Sequence, residues 1–356
     1  MGAESGWTTG EDTKYGSSPE VYRLMDWWRI QSALRNPRSA ARYVQTNHSP
    51  IRNSVVFFTS RHPLGTDVLD LDWEILIVLD SCRVDALRAI ADEYPFLNTI
   101  NELWSVGGHS GEWMAHTFDR KYEDVLSNTA YLSANPHTKS VLEADMDAED
   151  KHIKRLSRYG KWDFISSGEF GRMEHVWRHE VTDKNGFHGH TGGYTPPRHV
   201  TDRGISVSRN HDFDNIILHY MQPHRPYVAA AVEDGRELYE YEKEPWEYMR
   251  KTGDRETVFE TYLDKLRFVL DDVEILLNNL EADEVAISAD HGEAFGEYNI
   301  YEHHAGSLHP VIRRVPWVTT KATDSHSYTP HLDSRADSGC HAEDILEHLG
   351  YISENR

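Results

Sequence analysis

Asp80 closes the apolar run Ile75-Leu76-Ile77-Val78-Leu79, and Asp290 and His291 close a second run, Val285-Ala286-Ile287-Ser288-Ala289, most of the chain later. A carboxylate at the end of a buried strand sits at the carboxyl edge of a sheet, where open α/β folds place their ligand crevices. If the two strands are neighbours, Asp80, Asp290 and His291 converge. Two carboxylates and an imidazole brought together this way repel and desolvate one another unless a cation holds them, so the grouping predicts a divalent metal site. The competing expectation is that each Asp caps the helix that follows. For Asp290 that reading is weaker, because Asp-His-Gly-Glu at 290–293 sets a potential ligand on a tight turn.

The elements that must carry these residues alternate between strand and helix signals, which predicts an α/β fold built on a mostly parallel sheet. Strands are expected at 74–79, 129–133, 214–219, 284–289 and 315–319, and helices at 83–92, 256–280 and 342–348. The stretch 137–212, polar and rich in His and Gly, reads as loops and short elements over the active-site face. No internal repeat is present.

The motifs resemble those of the sulfatase-like branch of the alkaline phosphatase superfamily. The resemblance rests on Leu-Asp-Ser-Cys-Arg-Val-Asp at 79–85, His219-Tyr220-Met221-Gln222-Pro223-His224-Arg225-Pro226-Tyr227, Ala-Asp-His-Gly-Glu at 289–293, Tyr301-Glu302-His303-His304-Ala305-Gly306 and Arg314-Val315-Pro316-Trp317, in that order. It runs from about Asp72 to the C-terminus and implies an alkaline phosphatase-like fold, a mostly parallel central sheet sandwiched by helices. The expected organisation is a disordered 1–18, an N-terminal helical extension over 19–70 and a catalytic domain over 71–356.

The resemblance also implies site roles. Asp80, Asp290, His291 and His303 are expected as metal ligands, with His304 as the alternative to His303. Arg83, His109, His224 and His303 are expected to contact the anion or the leaving group. The family's nucleophile segment is matched by Trp104-Ser105-Val106-Gly107-Gly108-His109-Ser110, with Ser105 on the hydroxyl position and Ser110 and Ser81 as alternatives; the segment lacks the family's Pro and the Ser before His. Cys82 lacks the Cys-x-Pro-x-Arg setting of formylglycine sulfatases and is expected to be a small buried residue. Asp85 is expected to pair with Arg83, and His219 is read as either a core residue or a contributor to a second metal. The shell suits Mn, Mg or Ca, with Zn as an alternative.

The expected activity is metal-dependent hydrolysis of phosphate or sulfate esters through a covalent Ser ester, the missing formylglycine motif favouring phosphate. The alternatives are transfer of a phospho-alcohol head group to a glycan or lipid, and a catalytically silent relative that binds an anionic glycan or a protein.

Composition bounds the rest. With 59 acidic against 37 basic residues the net charge is −22, a pattern suited to solubility in high salt and unsuited to binding nucleic acid. Two cysteines imply no disulfide framework. The chain carries no apolar run long enough to span a bilayer and no signal-peptide core, so the expected location is the cytoplasm. Residues 19–44 combine an apolar stripe, Val21, Leu24, Met25, Trp28, Ile30 and Leu34, with Arg23, Arg29, Arg35, Arg38 and Arg42. Such a helix either packs on the protein's own core or meets an anionic membrane surface peripherally. The expected substrate is an anionic ester, and the oligomeric state is left open.

Overall fold

The five apolar residues Ile75–Leu79 form strand β1, and every one is buried. Their alternation serves two cores: Ile75, Ile77 and Leu79 point into one, and Leu76 and Val78 into the other. A strand covered on both faces needs a continuous apolar run, which is what this segment supplies. The account rests on a computed structural model that describes residues 49–178 and 195–332. The segments 1–18 and 19–44, Cys340 and the helix expected at 342–348 lie outside the described residues.

Eight further strands follow: β2 (Asn101–Trp104), β3 (Thr129–Ser133), β4 (Arg172–His175), β5 (Asn215–Tyr220), β6 (Ala282–Ser288), β7 (Ala294–Phe295), β8 (Tyr301–Glu302) and β9 (Arg314–Ala322). Seven of these nine make one sheet in the order β2-β9-β6-β1-β5-β3-β4. β6, β1, β5, β3 and β4 run parallel, while at one edge β9 pairs antiparallel with β6 and β2 antiparallel with β9. β7 and β8 form a separate hairpin. The five expected strands are all present. β2 and β4, which were not expected, are short, polar edge strands.

One face of the sheet is covered by the helix Arg255–Leu277, capped by Asp254 accepting from Thr257 N, with Val258, Tyr262, Leu266, Val269, Val273 and Leu276 turned inward. The expected helix at 83–92 is shorter, Val84–Ala89 followed by a 3-10 turn. The opposite core takes Val56 from the helix Ser49–Thr59, Trp113 and Met114 from Ser110–Thr117, and Ile153 and Leu156 from Lys151–Tyr159. The stretch 137–212 is more regular than expected, since it holds the helices Lys151–Tyr159 and Pro197–Asn210 as well as β4. Their apolar spacing is interrupted by charged residues, which hid the period. The sheet is thus mostly parallel with helices on both faces, the expected architecture. No helix among the described residues is long and apolar enough to cross a membrane.

Candidate active site

β1 lies between β5 and β6, with Val78 opposite His219 on one side and Ser288 on the other. The residues that follow these strands therefore meet at one edge. Asp80, Asp290 and His291 are fully buried there, and one ligand atom from each lies within 4.8 Å of the others. Backbone geometry locks the arrangement. Ser81 adopts a left-handed conformation (φ 65°), and its N–H donates to Asp290 Oδ1 at 3.1 Å. Gly292 follows His291 where a Cβ would overlap the Val311 carbonyl oxygen, so only glycine lets the turn approach the chain before β9 so closely.

The electrostatics make this group a candidate cation site. Burial, and then the charge of Asp290, push the Asp80 carboxyl well above its ordinary range. Burial acts the same way on Asp290, but His291 and His219 outweigh it and hold that carboxyl low. Asp290 Oδ2 is buried with no hydrogen-bond partner; His291 Nε2 lies 3.4 Å away and His219 Nε2 3.7 Å. His291 Nδ1 faces the Gly292 carbonyl at 3.0 Å and can donate to it, which leaves Nε2 turned towards the carboxylates as the ligand atom. Asp80 Oδ2 accepts from Asn135 Nδ2 at 2.8 Å and Oδ1 from Ser81 Oγ at 2.9 Å, so the carboxylate is held in place. Two oxygens and a nitrogen this close fit a divalent ion with bonds of about 2.0–2.4 Å after a slight contraction.

A second group stands beside the first. His224, Glu293 and His303 are buried, with ligand atoms again within 4.8 Å of one another. His303 Nδ1 lies 3.0 Å from Glu293 Oε2, and the His291 and His303 rings are 4.2 Å apart between centroids. Burial pushes Glu293 up to about 8 and holds His224 and His303 well below the usual imidazole range. Neutral imidazoles with a carboxylate are a donor set for a transition ion such as zinc. His303 thus joins His224 and Glu293 rather than Asp80, and His304 turns away to stack on His152 at 5.5 Å.

The structure does not bring every expected residue to the cluster. The Ser105 hydroxyl donates to the Asp290 backbone carbonyl and accepts from Gly107 N, a structural bond that anchors the loop after β2. Ser110, the alternative, lies at the start of the helix Ser110–Thr117, its Oγ 3.4 Å from Asp80 Oδ2 and 3.3 Å from His291 Nε2. Four residues separate the two serines, Val106, Gly107, Gly108 and His109, and His109 Nδ1 caps the helix by accepting from Gly111 N. Arg83 turns from the cluster to Asp85, Glu297 and the Glu293 carbonyl. Its expected partner Asp85 is there, but an anion-contact role is not. Cys82 is fully buried, and burial raises its thiol far above the ordinary value. His219 Nδ1 pairs with Tyr131 Oη at 2.9 Å while Nε2 faces Asp290, so it borders the site.

Glu293, Asn135, His137 and His152 were missed in the sequence. Glu293 was visible inside Asp-His-Gly-Glu. Asn135 and His137 follow β3 at the same sheet edge as Asp80, and His109 packs against His137 and His152 with ring centroids 4.6 and 4.5 Å apart.

No protein-family model and no curated protein matches the chain. Solved structures of similar fold include the soluble domain of lipooligosaccharide phosphoethanolamine transferase A from Neisseria meningitidis (17% identity, 71% of this chain and 77% of that chain, TM-score 0.42). The C-terminal periplasmic domain of a phosphoethanolamine transferase from Campylobacter jejuni is similar over 69% of this chain and 78% of its own, at 14% identity and TM-score 0.43. A putative sulfatase from Bacteroides thetaiotaomicron matches at 13% identity over 79% and 71%, with TM-score 0.40.

Proposed function

We propose that this protein is a metal-dependent hydrolase of phosphate or sulfate esters that works through a covalent ester on Ser110. The observation that carries this reading is the Ser110 hydroxyl set against a buried Asp-Asp-His group that has the donor set of a cation site. A cation held by Asp80, Asp290 and His291 would lower the pKa of the Ser110 hydroxyl and offset the negative charge of the ester oxygens. Ser110 Oγ attacks phosphorus or sulfur, the new O–P or O–S bond forms as the bond to the leaving oxygen breaks, and the leaving alkoxide takes up the proton that Ser110 gives up. Where the His-Glu-His group carries no cation, His303, its ring 4.2 Å from that of His291, would relay that proton. Water then cleaves the Ser110 ester. Mn, Mg, Ca and Zn all remain eligible at the first group, while the His-Glu-His group favours Zn.

The test is turnover of aryl phosphate, phosphodiester, phosphonate and sulfate esters in high salt with each metal, alongside Asp290→Ala. Metal-dependent turnover lost in the variant is the predicted result. A rate that rises with an added alcohol acceptor would assign the second step to transfer. Metal retention with no turnover of any ester would leave a silent binding protein and end the hydrolase reading.

A further inference from the structure

Glu112 stands two residues after Ser110 on the helix Ser110–Thr117, fully buried, and the proposed reaction gives it no task. A carboxylate is rarely buried in this way unless hydrogen bonds hold it. Glu112 Oε2 accepts from two backbone donors at once, Gly108 N and Gly306 N, each at 2.9 Å. One carboxylate oxygen has the lone pairs for both bonds. Oε1 is buried with no hydrogen-bond partner among the described residues, and Arg155 and Arg313 are near enough to attract the carboxylate.

The two donors come from the two loops that build the site. Gly108 lies in the turn that leads through His109 to Ser110, and Gly306 lies in the loop after β8 that begins with His303. The loops touch directly, since a Cβ on Gly108 would sit 2.9 Å from the His304 carbonyl oxygen and 3.2 Å from Ser307. His152 adds a second tie: its Nδ1 accepts from Ala305 N at 3.4 Å, and its ring stacks on His109 and His304 at 4.5 and 5.5 Å. Stacked rings can slide past each other, whereas two short hydrogen bonds to one oxygen fix how far apart the loops stand.

We propose that Glu112 is a positioning residue for this reaction, one that clamps the His303 loop against the Ser110 loop and so keeps His303 in register with the nucleophile. Glu112 touches no reacting atom. The clamp needs an oxygen acceptor at the reach of this side chain, and a shorter acid does not supply it. The role in turnover rests on the hydrolase reading, and the clamp itself on the two hydrogen bonds.

The test compares Glu112→Gln, Glu112→Asp and Glu112→Ala in the full chain with its cation bound, on the aryl ester it turns over best. Glu112→Gln keeps an oxygen in place and is expected to hold kcat within about threefold of native, whatever its thermal melt. Glu112→Asp and Glu112→Ala withdraw that oxygen, and kcat should fall roughly tenfold to a hundredfold while KM changes less than about threefold. In a His303→Ala background, Glu112→Asp should cost less than about threefold more, because its effect acts through His303. Additive losses in that pair, or native kcat in Glu112→Asp, would overturn the positioning role. Amide hydrogen exchange read by NMR is independent of turnover: the N–H groups of Gly108 and Gly306 should both exchange roughly tenfold faster in Glu112→Asp than in Glu112→Gln. Equal protection in the two variants would refute the clamp, and this comparison stands even where Glu112→Ala does not fold. If the native chain turns over no ester, the positioning role falls with the hydrolase reading, and the exchange rates alone decide the clamp.

Discussion

Replacing Asp290 by Asn separates charge from shape at the centre of the site. Asp290 Oδ1 accepts from Ser81 N at 3.1 Å and His291 N at 2.8 Å, and an Asn carbonyl retains both bonds. What disappears is the negative charge facing Asp80. With ligand oxygens within 4.8 Å and an effective dielectric of ~20, that repulsion is worth about 3.5 kcal/mol when both groups are ionised, but Asp80 is already pushed towards its protonated form and the Asp290 charge is favoured by His291 and His219. With the cation chelated, the relief at Asp80 and the loss at the two histidines oppose each other, so Asp290→Asn is expected to melt within about 5 °C of the native chain. With cation present the two proteins separate. A cation at a hundred times its Kd stabilises the native fold by about 2.7 kcal/mol, while the variant, lacking one anionic ligand, gains little. Differential scanning calorimetry of both proteins, with chelator and with Mn or Zn, reads the difference. A metal-induced shift as large in the variant as in the native chain would refute the idea that these carboxylates are assembled for a cation.

Other perturbations test neighbouring steps. Ser110→Ala should abolish metal-dependent turnover by at least about a thousandfold, whereas Ser105→Ala should cost about 1–2 kcal/mol of stability through its lost bond to the Asp290 carbonyl, readable as a lower denaturation midpoint. Burial raises Glu293 to about 8, so in chelated protein its protonated form favours the fold at low pH, and that advantage is lost as pH rises from near 4.5 through about 8. Glu293→Gln should flatten the fall in melting temperature over that window, and in the native chain zinc affinity should climb across it. Asn135→Ala removes a donor to Asp80 and should weaken metal binding roughly tenfold, measured by competition with a chromophoric chelator.

The strands that carry chemistry were legible because burial on both faces forces a continuous apolar run, as in Ile75–Leu79, and a carboxylate at its end has a fixed destination at the sheet edge. Edge strands such as Arg172–His175 carry no such run and left no signal. Side-chain direction was harder to read. Arg83 sits three residues after Asp80, but Glu297, far along the chain, draws its guanidinium away from the cluster. The choice between Ser105 and Ser110 turned on where a Gly-Gly loop ends and a helix begins, a boundary set by the His109 cap and not by apolar spacing. The second candidate group was hidden because its carboxylate, Glu293, belongs to the same motif as Asp290 and His291 of the first.

The central claim, a covalent ester on Ser110, is tested most directly by acid-quenching the metal-loaded protein during turnover of its best ester and mapping the modified peptide by mass spectrometry. The account predicts a phosphoryl or sulfuryl group on Ser110, absent from Ser110→Ala. The group on Ser105, or steady turnover with no modified serine, would contradict it.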